Sequence, residues 1–138
     1  MSKVIGYTAG VYDLFHIGHL NILKKAKKEC DYLIVALTTD ELCVKNKGKT
    51  PIVPYIERYE ILLSIKYVDE VIPQNELNKV EDWKKHKFHK IFAGSDKKLT
   101  KEYKDFTDFF NKEKVEIVYF DYTEHTSSTF LRSVLEKI

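Results

Sequence analysis

The residues best placed to do chemistry are two histidines and a glycine, His16, Gly18 and His19, inside the run Gly10-Val11-Tyr12-Asp13-Leu14-Phe15-His16-Ile17-Gly18-His19. An apolar segment precedes the run and a Leu/Ile/Ala-patterned helical segment follows it. The first turn of a helix has backbone N–H groups without intrahelical partners and the positive end of the helix dipole, so it favours phosphate. His16 and His19, three apart, share a helix face, so both rings can address one anion. Gly18 lacks the Cβ that would hold a polyphosphate off the backbone, and Gly10 does the same at the end of the first strand. Asp13 could cap the helix or help hold a metal. The competing reading, two ordinary polar residues and a turn, leaves the order strand, glycine, acid, paired histidines without a reason.

The elements that must position this run follow from hydrophobic patterning. Five apolar runs rich in β-branched and aromatic residues, at residues 4–8, 32–37, 70–72, 90–93 and 115–120, alternate with helical segments. That alternation predicts a single doubly wound, Rossmann-like α/β domain over residues 1–138, with a five-stranded parallel sheet and helices on both faces. Helical stripes fall at Leu20, Leu23 and Ala26 and, after Pro54, at Ile61, Leu62 and Ile65. Weaker helices are predicted over residues 80–86 and 102–110, and the last runs from Ser127 or Ser128 to Glu136 with hydroxyls suited to its N-cap. Ligands of such sheets sit beyond the carboxyl ends of the strands, where strand order reverses. The His pair follows strand one, and Gly94-Ser95-Asp96 follows strand four, so both open onto one crevice. Asp96 can accept hydrogen bonds from a ribose there, or be a surface turn.

Two further segments face the same side. Lys45-Asn46-Lys47-Gly48-Lys49 reads as a flexible basic loop that can close over polyphosphate, the alternative being a solvated surface. Thr123-Glu124-His125-Thr126-Ser127-Ser128-Thr129 opens the last helix with several hydroxyls, and Arg132 one turn later can reach the same place. Helix capping and phosphate binding use the same geometry, so both readings of these hydroxyls stand. His86, His89 and Trp83 form no constellation and read as surface or packing residues.

Composition bounds the remaining classes. The 138 residues carry a formal charge of +2, too small for a duplex-binding face, so no nucleic-acid partner is expected. No apolar run approaches the roughly 20 residues that span a bilayer, and residues 1–4 lack a secretory apolar core. Cys30 and Cys43 make neither a zinc site nor a disulfide framework, so a reduced cytoplasmic setting is the default.

With these segments in place, the chain resembles the nucleotidyltransferases that carry an HxGH signature, and within them the short bacterial glycerol-3-phosphate cytidylyltransferases. Gly10 to His19 is similar to the family's GxFDLxHxGH segment, with Tyr12 in place of phenylalanine. Asp40-Glu41, Lys47-Gly48, Glu57-Arg58-Tyr59 and Tyr67-Val68-Asp69-Glu70-Val71-Ile72 follow the same pattern in order. The resemblance implies that the phosphate of a small alcohol phosphate attacks the α-phosphorus of CTP in line, with Mg²⁺ bound alongside the triphosphate and no covalent intermediate. It implies that His16 and His19 bind the triphosphate, that Lys47 and Lys49 bridge the phosphates of acceptor and nucleotide, and that Val11 and Tyr12 offer backbone contacts. Arg58 would order the site and contact substrate, Lys79 is a candidate for acceptor binding, and a homodimer is expected. The chain departs from the family in two places. Tyr122 to Thr129 stands where those enzymes read RTEGISTT, and Ser127-Ser128-Thr129 with Arg132 is closer to the SSTxxR ending of adenylyltransferases. Lys66 stands where many relatives have arginine. An ATP-dependent adenylyltransferase and a nucleotide-binding module without catalysis are therefore the alternatives. Among acceptors, ethanolamine, choline and ribitol phosphates stand beside glycerol 3-phosphate.

Overall fold

In the computed structural model, which describes residues 3–121 and 127–138, five parallel strands form one sheet in the order β3-β2-β1-β4-β5. They are β1 (Ile5–Gly10), β2 (Tyr32–Thr38), β3 (Glu70–Gln74), β4 (Lys90–Gly94) and β5 (Glu116–Phe120). Six helices connect or follow them: α1 (Ile17–Lys28), α2 (Asp40–Lys47), α3 (Tyr55–Leu63), α4 (Val80–His86), α5 (Lys101–Lys112) and α6 (Ser128–Glu136). The predicted parallel, doubly wound architecture is therefore present.

Strand β2 shows why the sheet is covered twice. Its alternating side chains divide between two cores: Ile34 and Ala36 join Tyr7, Phe88, Tyr103, Phe106 and Phe110 on the face carrying α4 and α5. Leu33, Val35 and Leu37 join Leu23, Ala26, Leu62 and Phe92 on the face carrying α1 and α3. A strand apolar at every position satisfies both. Trp83 belongs to the first core, set edge-on to Phe109 and Phe110, and His89 accepts a hydrogen bond from the Ile5 amide through Nδ1. Strand β3 continues through Pro73 to Gln74, farther than predicted, because an edge strand tolerates a residue without an N–H.

One element departs from the sequence reading. Lys45, Asn46 and Lys47 are the last turn of α2, not part of a flexible loop. Thr39 caps the helix by accepting from the Leu42 amide, Asp40 and Glu41 stand in its first turn, and Lys45 and Lys47 in its last. Gly48 ends it at φ 70°, a left-handed conformation open to glycine. The irregular basic segment begins only there, at residues 48–54.

The strand order reverses between β1 and β4, so the crevice of this sheet lies beyond Gly10 and Gly94.

Candidate functional site

The loop from β1 into α1 is wound by unusual backbone. Tyr12 and Leu14 both hold positive φ, 53° and 52°, a conformation that non-glycine residues keep only when their surroundings over-determine it. Tyr12 is overdetermined in two ways: its ring is buried beside Thr8, and it lies against the ring of His19, with 5.2 Å between centroids. Thr8 in turn donates to the Phe92 carbonyl of β4 at 3.0 Å. A Cβ on Gly10 would stand 2.9 Å from the Tyr12 ring, so glycine at this strand end makes room for that ring. At the neighbouring strand end, a Cβ on Gly94 would meet the Asp96 carboxylate at 2.6 Å.

His16 is the N-cap of α1 and His19 lies in its first turn. The His16 Nδ1 accepts from the Gly18 amide at 3.0 Å, and the His19 Nδ1 accepts from the His16 amide at 3.2 Å. The two imidazoles thus form the capping box of their own helix, with rings stacked at 4.0 Å. A backbone N–H can only donate, so both Nδ1 atoms use their lone pairs and each ring carries its hydrogen on Nε2. The pair is therefore a set of two parallel N–H donors, half-buried at the crevice. The Gly18 amide, expected to meet an anion directly, is taken by His16; the imidazoles stand in its place.

Asp13 neither caps the helix nor stands open to a metal. Its carboxylate accepts from the amides of Ile52 (2.8 Å) and Val53 (2.9 Å) and from Arg132 (2.7 Å). Among the described residues no group of three His, Cys, Asp or Glu is arranged to hold a metal ion. Ser128 donates to the Asp13 carbonyl at 2.6 Å and lies 3.4 Å from His19 Nε2. Ser127 caps α6 by accepting from the Phe130 amide, whereas Thr129 is exposed in the first turn. Thr123 lies outside the described residues.

Arg58 is the largest of the fully buried side chains. Its Nε donates to the Val53 carbonyl, Nη1 to those of Val11 and Thr38, each at 2.8 Å, and Nη2 to Asp40 at 2.6 Å. The guanidinium is thereby the bolt joining β1, β2 and the segment before α3. This corrects its expected contact with substrate: a side chain without exposed area, spent on three carbonyls and a carboxylate, orders the site from beneath.

Lys79, also buried, directs its ammonium to Glu102 at 2.7 Å above the rings of Tyr103 and Phe106. Burial holds its pKa below the usual lysine value, with Glu102 opposing. Sequence reading overlooked Glu102 and Tyr103, because an acid in a helix first turn and a core aromatic carry no motif. Lys47 and Lys49 are exposed, flanking Gly48, and Asp96 is exposed in the 3-10 turn after β4. Thus His16, His19, Tyr12, Asp13, Ser128 and Arg132 converge, while Lys79 belongs to a separate buried pair with Glu102.

Similar proteins place the chain in a family. The Cytidylyltransferase-like family matches residues 7–134. The glycerol-3-phosphate cytidylyltransferase of Bacillus subtilis (strain 168) is 39% identical over 133 residues, covering 96% of this chain and 95% of that protein. That of Staphylococcus aureus (strain NCTC 8325 / PS 47) is 38% identical over 135 residues, covering 98% and 96%. Among solved structures, a lipopolysaccharide core biosynthesis protein of Thermoplasma volcanium GSS1 superposes with a TM-score of 0.73 at 26% identity, covering 91% of this chain and all of the other. A family match over nearly the whole chain, on a sheet whose switch point holds two stacked histidine donors, means that this protein belongs to the cytidylyltransferase-like family.

Proposed function

We propose that this chain transfers CMP from CTP to a small alcohol phosphate, glycerol 3-phosphate first among them, releasing pyrophosphate and giving a CDP-alcohol. The observation that carries the reading is the histidine pair with both Nδ1 atoms occupied by backbone amides. Two Nε2–H donors suit the negative charge that builds on a triphosphate as its α-phosphorus is attacked. An acceptor phosphate is already anionic, so the reaction needs no general base. Its oxygen forms the new bond to the α-phosphorus, and the electrons of the broken bond leave with pyrophosphate.

In this reading Lys47 and Lys49, exposed on either side of Gly48, neutralise the phosphates of both substrates. The backbone at Gly10, Val11 and Tyr12 lines the nucleotide, with Gly18 beneath it and Gly94 and Asp96 at the ribose. Thr123, Ser127, Ser128 and Thr129 belong to the phosphate end, while Lys79, buried against Glu102, stands apart from it. Mg²⁺ bound with the triphosphate would neutralise part of its charge. No described carboxylate cluster offers it a separate cage. The support for glycerol 3-phosphate is the two relatives that bear its name and match almost end to end. We place the protein in the cytoplasm, in keeping with two free cysteines and with the absence, among the described residues, of a helix long and apolar enough to cross a membrane. A homodimer is part of this reading, on the family resemblance.

Pyrophosphate release is the test, with CTP or ATP offered against glycerol, ribitol, ethanolamine and choline phosphates. CTP-dependent turnover with one acceptor is expected, falling about 10²–10³-fold in His16→Ala or His19→Ala. Turnover with ATP alone would assign the SSTxxR-like ending its adenylyltransferase meaning. No turnover with any pair would refute the proposal.

A further inference from the structure

The sequence reading sends Arg132 to the nucleotide phosphates, but the structure engages it elsewhere. Its Nη2 lies 2.7 Å from Asp13 Oδ2, and its Nη1 lies 3.5 Å from the Thr50 carbonyl. Asp13 is nearly inaccessible, 5% exposed, and its two carboxylate oxygens also receive the amides of Ile52 and Val53. Four residues before Arg132 on the same helix, Ser128 donates to the Asp13 carbonyl. One face of α6 therefore grips Asp13 twice, at its main chain and at its carboxylate. Through that carboxylate it also grips residues 50–53, the continuation of the segment that carries Lys49.

We propose that Arg132 and Asp13 form a positioning pair, in which Arg132 acts on the reaction through Asp13 by holding the lysine-bearing segment and the histidine loop at a fixed separation. The physical reason lies in what each partner needs. Two amide donors fill part of the carboxylate's capacity, and a cation completes it; without Arg132 the buried charge is left with neutral donors alone. The segment after Gly48 has no regular structure of its own, so its attachment rests on these two amide bonds to Asp13 and on the bond from Arg58 Nε to the Val53 carbonyl, of which Arg132 completes the first anchor. A misplacement of about 1 Å in a charge-bearing group is enough to cost on the order of 10²-fold in rate.

The inference rests on the proposed reaction for its kinetic arm only. The structural arm uses no substrate: hydrogen exchange at the amides of Ile52 and Val53 in the unliganded protein, expected to quicken at least about tenfold in Arg132→Met and to recover in Arg132→Lys. The kinetic arm is a double-substitution cycle. Arg132→Met and Asp13→Asn are each expected to lower kcat more than they raise the KM for nucleotide, and the double variant to be no worse than about threefold below the weaker single variant. If Arg132 reaches the phosphates instead, its substitution raises the nucleotide KM equally in both backgrounds and the losses multiply, which overturns the proposal. Unchanged exchange at the Ile52 and Val53 amides in Arg132→Met overturns it as well. Should Asp13→Asn fail to fold, Arg132→Lys decides: recovery of protection and kcat together supports the pair, and recovery of either one alone refutes it. Loss of all turnover in the unsubstituted protein, with the exchange result intact, would condemn the reaction and not the pair.

Discussion

Replacing Arg58 with methionine tests the idea that the site is held from below. Methionine fills much of the same volume but offers no donor, so it strands the Thr38, Val11 and Val53 carbonyls and leaves Asp40 without its ion partner. The Thr38 carbonyl is bonded in a fully buried setting, the other two are part-buried, and the Asp40 side chain, 31% exposed, can turn to water. At about 1–3 kcal/mol for a buried polar group left unpaired, and less for the accessible ones, the sum is roughly 3–5 kcal/mol. A domain of this size has about 5–15 kcal/mol in all, so roughly a fifth or more of its stability is at stake. At roughly 4 °C per kcal/mol for a chain of this length, the thermal midpoint should fall by about 12–20 °C. Arg58→Lys keeps a charge within reach of Asp40 but loses the planar fork, so it should recover only part of the loss. The assay is circular dichroism melting of the three proteins, with turnover measured well below each midpoint. A methionine variant that melts within about 4 °C of the parent while losing activity would refute the reasoning. It would mean that Arg58 serves a ligand after all.

Three further expectations follow from the same geometry. Burial pushes the Tyr12 phenol up to about 12, with the Thr8 side chain opposing, and burial raises Tyr7 and Tyr103 in the same direction. A folded value above the unfolded one means stability that is complete below pH ~10 and lost as pH climbs from there through about 12, so melting midpoints should drop across that window and drop less in Tyr12→Phe; phenol ionisation by absorbance near pH 10 in the folded protein would contradict this. Lys79→Met removes a buried ammonium whose charged form burial disfavours, so its melting midpoint should hold or rise slightly, while the KM for the acceptor should rise about 10–100-fold if Lys79 meets the acceptor phosphate. An unchanged acceptor KM would remove Lys79 from that role. Gly10→Ala drives a methyl group to 2.9 Å from the Tyr12 ring, which should cost about 1–3 kcal/mol of stability, and the displaced ring should disturb His19 and lower kcat about fivefold or more; unaltered kinetics would show that the ring yields freely.

Periodicity alone placed the five strands and most helices, because a strand apolar on both faces and a helix apolar on one each leave a direct trace in residue order. Helix α4 was predicted with the boundaries observed, and α6 with its capping serine. Helix α2 has no marked apolar stripe and so escapes periodicity, although Thr39, the acids of its first turn, the lysines of its last and Gly48 all mark it. The histidine pair and its helix start were likewise readable, since N-cap position and three-residue spacing are local properties.

Other features were settled only by the folded chain. That His16 and His19 turn Nδ1 toward backbone amides, and so present Nε2–H, depends on Tyr12 and Leu14 winding the loop through positive φ. That Arg58 faces three carbonyls and Arg132 faces Asp13, 119 residues away along the chain, depends on which strand ends lie side by side. Residue order determined which groups carry charge and on which elements they ride. The tertiary structure decided which partner each charge meets, because an arginine's long side chain has many reachable acceptors and only packing removes all but one set.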